Sequence, residues 1–146
     1  MKRLLFLALF SFACGGAEMP AEDCPTHDSA SFELGTGQLE FLPIADGQPL
    51  MINSGPQGGC HFFLSVRTNG FAASGFKLHY EVLYADTNAS TGSTSSFTAR
   101  LRPASAAGTC ENLGTTAFLL KPWDLEDQRV TIAVDVEDAE GRTASE

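Results

Sequence analysis

The sequence predicts an all-β chain folded as an antiparallel sandwich of about seven strands, and three observations carry that expectation. From Phe32 onward, apolar residues recur at every second position in short runs rich in β-branched and aromatic side chains. A period of two is the mark of strands with one buried face. The runs are separated by Gly, Asn, Asp and Pro in turn-forming combinations. No window of helical length keeps apolar spacings of three and four without a Gly or Pro interrupting it. About seven short antiparallel strands with Gly-rich connections fit a sandwich of immunoglobulin-like type. A closed barrel fits less well, because the runs are unequal and the connections long.

Taken in order, the first element is a leader over residues 1–13. Lys2 and Arg3 precede an apolar run from Leu4 to Phe12. That run is far shorter than the roughly 20 residues a membrane-spanning helix needs, and it reads as a secretory signal. It ends at Ala13-Cys14-Gly15-Gly16, which resembles the lipobox of bacterial lipoproteins, although Ser11 stands where Leu is usual. The resemblance implies a diacylglyceryl thioether on Cys14 and cleavage after Ala13. By analogy with enteric bacteria, Gly15 after the cysteine implies the outer membrane of the envelope, where an Asp would imply the inner one. Residues 14–31 read as an acidic tether carrying Glu18, Pro20, Glu22, Asp23, Pro25 and Asp28, with little to bury.

The body spans residues 32–146. Its clearest alternations are Leu39 and Phe41; Phe62, Leu64 and Val66; Phe76, Leu78, Tyr80, Val82 and Tyr84; Phe97, Ala99 and Leu101; and Val130, Ile132, Val134 and Val136. Between them, Ala45-Asp46-Gly47-Gln48, residues 53–59, Asn69-Gly70 and residues 87–96 read as turns and loops. Pro122 to Gln128 offers a turn or two of helix at a corner. Ala139-Glu140-Gly141 closes a final hairpin with a short last strand.

The chain has four cysteines. Lipidation of Cys14 leaves Cys24, Cys60 and Cys110, three thiols of which two can pair in an oxidising compartment. Cys60 opens a strand and Cys110 falls in the loop Ala104 to Gly114, so Cys60–Cys110 is the favoured bridge, pinning a loop to a strand end. Cys24–Cys110, stapling the tether's end to the body, and Cys24–Cys60 are the other pairings.

The formal net charge is −9, and loss of Lys2 and Arg3 with the leader makes the processed chain two units more negative. Such a surface repels phosphate backbones, and no basic patch offsets it, which excludes nucleic acid as a partner. His27, His61 and His79 are scattered, with no zinc-like spacing. His61 and His79 fall on outward faces of strands and read as solvated, although as cross-strand neighbours they would give a weak metal hint beside Cys60. Adjacent strand residues point to opposite faces, so Cys60 and His61 do not form a nucleophile pair. Asp124, Glu126 and Asp127 form one acidic cluster, and Asp135, Glu137, Asp138 and Glu140 another. Hard cations take six to eight oxygens, but neither cluster matches a calcium loop, and both are expected to be solvated. No metal, cofactor or catalytic residue is assigned. Trp123 is expected to anchor a corner of the core, and Phe63 and Leu83 to face outward.

Leu34-Gly35-Thr36-Gly37, Phe41-Leu42-Pro43-Ile44-Ala45-Asp46-Gly47 and Gly55-Pro56-Gln57-Gly58-Gly59-Cys60-His61, with the Val130 to Gly141 hairpin, resemble a group of uncharacterised bacterial envelope lipoproteins with an immunoglobulin-like domain. That pattern has an aromatic residue at the place of Cys60, a departure that fits a bridge to Cys110. The resemblance implies surface lipidation and a sandwich, and carries over no activity and no site. The functional expectation is a lipid-anchored, non-enzymatic binding or structural module, held to the membrane by its N-terminal lipid and meeting an envelope protein or glycan. A divalent-cation-dependent envelope hydrolase and an auxiliary subunit of an envelope complex are the alternatives.

Overall fold

In the computed structural model, which describes residues 24–56 and 58–146, two antiparallel sheets pack face to face as a β-sandwich. The leader, Cys14 and the first part of the tether lie outside the described residues. The strands are β1 (Ser31–Thr36), β2 (Leu42–Pro43), β3 (Asn53–Ser54), β4 (Cys60–Asn69), β5 (Phe76–Tyr84), β6 (Ser90–Ala99), β7 (Arg102–Pro103), β8 (Cys110–Leu119), β9 (Val130–Glu137) and β10 (Thr143–Ser145). One sheet has six strands in the order β2-β1-β4-β8-β7, with β3 also on β4; the other has four, β10-β9-β5-β6.

The alternating runs become strands for the reason the pattern gives. Phe76, Leu78, Tyr80 and Val82 of β5 face Phe62, Leu64 and Val66 of β4 across the core, all nearly inaccessible. Val134 and Val136 of β9 join them, and Phe71 meets Phe76 edge to face at 5.6 Å between ring centroids. Polar ties cross the same gap. The Tyr80 hydroxyl donates to the Phe118 carbonyl at 3.1 Å, and the Leu120 N–H donates to Ser93 Oγ at 3.0 Å.

Four expectations are corrected. Leu39 and Phe41 are not in a strand: the chain bends at Gly37 (φ 102°) and folds over the outer face of the six-stranded sheet. Phe41 is seated there on Gly35, whose missing Cβ would meet the Phe41 ring at 2.5 Å. Most of the stretch from residue 87 to 96, read as a loop, belongs to β6, where Thr91 and Thr94 donate to the Val82 and Tyr80 carbonyls of β5. Cys110 opens β8 instead of lying in a loop. β8 was hidden by Gly114, which holds φ 67° next to the register shift between Leu64 and Val66 and donates its N–H to Ser65 Oγ. An extra residue at a bulge breaks the alternation that sequence reading looks for. Trp123 is turned out. Pro122–Asp124 forms a 3-10 turn, residues three apart share a face, and Pro122 and Leu125 take the buried positions.

The bridge is Cys24–Cys110, with a Cα separation of 5.8 Å, and not Cys60–Cys110. Cys60 and Cys110 stand near opposite ends of the paired strands β4 and β8, where Cys60 aligns with Leu119 and Cys110 with Thr68. Strands rise about 3.3 Å per residue, so ten-residue strands hold these two thiols roughly 30 Å apart. The body therefore takes in Cys24, Thr26 and His27 ahead of Phe32. Thr26 bridges to Gly70, the His27 N–H donates to the Gly70 carbonyl at 3.3 Å, and the His27 ring is hydrogen-bonded to Asn69.

The sandwich thus has two poles. Cys24, Cys110, Asn69 and the β9–β10 turn lie at one, which we call the root. Cys60, Leu119, Tyr84 and Val130 lie at the far pole, with the connections 53–59, 85–89 and 120–129.

Candidate functional site

The best-formed collection of reactive side chains lies on the outer face of the four-stranded sheet. Cross-strand register aligns Ser96, His79, Asp135 and Ser145 in one row over β6, β5, β9 and β10. The next row aligns Thr98, Lys77, Glu137 and Thr143. The rows arise because alternation on β5 and β9 sends the large core side chains inward and leaves Lys77, His79, Asp135 and Glu137 on the outer face. All residues of the two rows but Thr98 line a shallow groove of about 400 Å³. His79 Nδ1 and Ser96 Oγ share a hydrogen bond of 2.8 Å, the Ser145 hydroxyl donates to Asp135 at 2.6 Å, and Lys77 Nζ lies 3.4 Å from Glu137.

The order hydroxyl, imidazole, carboxylate invites a catalytic reading, but the bonding does not follow it. Asp135 is engaged by Ser145, so the His79 ring has no carboxylate bond to orient it as a base. What the rows offer is a flat set of donors and acceptors at strand spacing, suited to a polar ligand or a hydrophilic protein surface.

The second acidic cluster divides. Asp135 and Glu137 stay in these rows, while Asp138, expected to be solvated, is buried with 1% exposure. Its carboxylate accepts N–H bonds from Ala72 (2.9 Å), Glu140 (2.9 Å) and Arg142 (3.0 Å), and from Arg142 Nε at 2.9 Å. Burial by itself would raise this carboxyl; the three backbone donors and the Arg142 guanidinium outweigh it and hold Asp138 below the ordinary carboxylate range. Its oxygens are committed to the β9–β10 turn and the β4–β5 connection, which removes it from any cation site. Arg142 also reaches Glu140 at 2.8 Å. Asp124, Glu126 and Asp127 are exposed on the far-pole connection. Among the described residues no group of three His, Cys, Asp or Glu is arranged to hold a metal.

The histidines do not meet. His61 is on β4 and His79 on β5, in different sheets. His61 instead lies on the outer face of the six-stranded sheet, 4.9 Å from Phe63 and 6.1 Å from Phe118 between ring centroids. Cys60, the free thiol among the described residues, is half-buried with Ser54 Oγ 3.8 Å from its sulfur.

That second face differs in kind. Of the large apolar side chains exposed in the described residues, Leu39, Leu42, Met51, Ile52 and Phe118 belong to the six-stranded sheet or to connections within it, while Leu120 and Trp123 lie on the crossing from β8 to β9 that joins the two sheets. Alternation had marked Phe63 as outward, but not the company it keeps. Comparison of the chain with protein-family models, with curated proteins and with solved structures gives no match.

Proposed function

We propose that this chain is a lipid-anchored envelope protein whose sandwich is a non-catalytic binding or structural module, held to the bacterial outer membrane through Cys14. The observation that supports this reading most is the covalent root. Cys24, inside the stretch read as tether, is bonded to Cys110, the first residue of β8, which is paired on both sides in the six-stranded sheet. A pull on the tether is then borne by a covalent bond to the sheet, where a free N-terminal segment would peel away. Small envelope domains use disulfides in this way because an oxidising compartment allows it.

With the root fastened, the polar rows of the four-stranded sheet are the surface offered to a hydrophilic envelope partner, a protein or a glycan. Cell fractionation tests the anchoring. The wild-type protein is expected in the membrane fraction with acyl groups on Cys14 by intact mass, and Cys14→Ser is expected to move it out. Turnover of a substrate by the pure protein, lost on His79→Ala, would replace the binding reading with a catalytic one.

A further inference from the structure

We propose that the outer side of the six-stranded sheet docks on a phospholipid bilayer, laying the body along the membrane that holds its lipid. The inference builds on the anchoring reading, which makes a bilayer the nearest large surface.

Three observations select that occupant. The first is the bias of the exposed apolar residues: Leu39, Leu42, Met51, Ile52 and Phe118 belong to this sheet or to connections within it, and Leu120 and Trp123 to the crossing from β8 to β9 at the far pole. Phe118 (60% exposed) is continuous with His61 and Phe63 across β4 and β8, and Trp123 (74% exposed) is turned outward by the 3-10 corner. Trp, Phe, Leu and Met gathered on this sheet and at its far pole are the side chains that settle at the head-group boundary.

The second observation is reach. Residues 14–23 span at most about 35 Å when extended. The distance along β8 from Cys110 to Leu119 is about 30 Å by strand rise. A body rooted at Cys24 can therefore bring its whole length to the surface that holds Cys14. A short tether also gives the face an effective concentration near the millimolar range, so a weak apolar contact suffices.

The third is charge. A second copy carries the same acidic surface and is repelled. A zwitterionic bilayer is not, and Arg67 on this face is already paired with Glu111 at 3.7 Å and stacked over Phe41. Docking in this pose leaves the polar rows of the four-stranded sheet facing away from the membrane, toward a partner.

Trp123 is the only tryptophan of the chain and serves as its own probe. The processed native protein would be reconstituted in phosphatidylcholine vesicles with and without brominated acyl chains. Quenching of Trp123 by the brominated lipid, with a blue-shifted emission, is the expected result. Equal emission in the two vesicles overturns the docking, whatever is attached to Cys14. Intact mass decides the attachment separately. Should it show no acyl group, the anchoring falls, and quenching of protein added to the same vesicles still supports or overturns the docking. Phe118→Ser is expected to lower the ratio of docked to free body about tenfold. Ser96→Asp, on the opposite sheet, is expected to leave quenching unchanged, and an equal loss from both substitutions overturns the choice of face.

Discussion

The six-stranded and four-stranded sheets meet in a common core but present opposite characters to their surroundings. β5 and β9 keep strict alternation, so the four-stranded sheet has an inner face of Phe76, Leu78, Tyr80, Val82, Val134 and Val136 and an outer face of Lys77, His79, Asp135 and Glu137. β4 does not. Ser65, on its outward side, is 1% exposed because the Gly37–Phe41 segment folds over it; its hydroxyl donates to the Gly37 carbonyl at 2.8 Å. The remaining outer surface of that sheet carries His61, Phe63 and Phe118. One sheet meets water through a simple pattern; the other is half covered by its own chain and half left apolar. The fastenings differ too: a disulfide at the root of one sheet, a buried carboxylate at the turn of the other.

The largest test of that difference is removal of the disulfide. The bridge closes a sequence separation of 86 residues, for which the chain-entropy relation gives about 4.6 kcal/mol. Cys110→Ala is expected to lower unfolding free energy by roughly that amount in urea titration. Alkylation of the native protein should label Cys60 and spare Cys24 and Cys110, and labelling of Cys24 in place of Cys60 would restore the Cys60–Cys110 pairing.

Next in size is Asp138→Asn, expected to cost about 3 kcal/mol, because an amide cannot satisfy the donors that converge on the carboxylate. The sign with pH follows from its depressed folded value. The stabilisation is present in full above the ordinary carboxylate range and is lost as pH falls through the lower value held in the fold. The gap between wild type and Asp138→Asn should therefore be constant near neutrality and shrink on strong acidification; a gap that widened in acid would contradict the hub.

The four-stranded sheet was largely legible in the sequence and the six-stranded one was not, for physical reasons. β5 and β9 alternate without interruption, and Gly141 (φ 81°) marks the final hairpin. The first part of β6, through Ser96, was missed because Ser, Thr and Gly are as common in loops as on a solvent-facing strand; only pairing with β5 decides between them, whereas Phe97 and Ala99 at its end kept a legible alternation. β8 was missed because its bulge at Gly114 shifts the period. Phe41 looked like a strand residue because covering an outer face also needs an apolar side chain at that spacing. The polar rows could not be read at all, since His79, Ser96, Asp135 and Ser145 come together through register between strands far apart in sequence. Trp123 was misplaced because the 3-10 turn, not the hydrophobicity of the ring, decides which residue of Pro122–Asp124 is buried.

Of intermediate size is Gly35→Ala. The added methyl would meet the Phe41 ring at 2.5 Å and the Leu42 carbonyl at 2.7 Å, and overpacking of this kind costs about 2 kcal/mol. Thermal unfolding would read the loss. A neutral result would mean that the 37–41 segment lifts freely, and the covered half of the six-stranded sheet would then be as open as the other half.

The smallest expected effects separate stability from role most cleanly. Lys77→Ala removes an exposed ion pair to Glu137, worth about 0.3 kcal/mol in such a setting. Phe118→Ser removes a side chain that is mostly in solvent while leaving its carbonyl to receive the Tyr80 hydroxyl, and it is expected to change stability by less than about 0.5 kcal/mol. Two substitutions equally mild in urea should then diverge on membranes, Phe118→Ser losing lipid contact and Lys77→Ala keeping it. If Phe118→Ser instead destabilised the fold by about 2 kcal/mol or more, as a buried aromatic would, the ring would be part of the packing and the apolar side of the six-stranded sheet would need no outside surface to account for it.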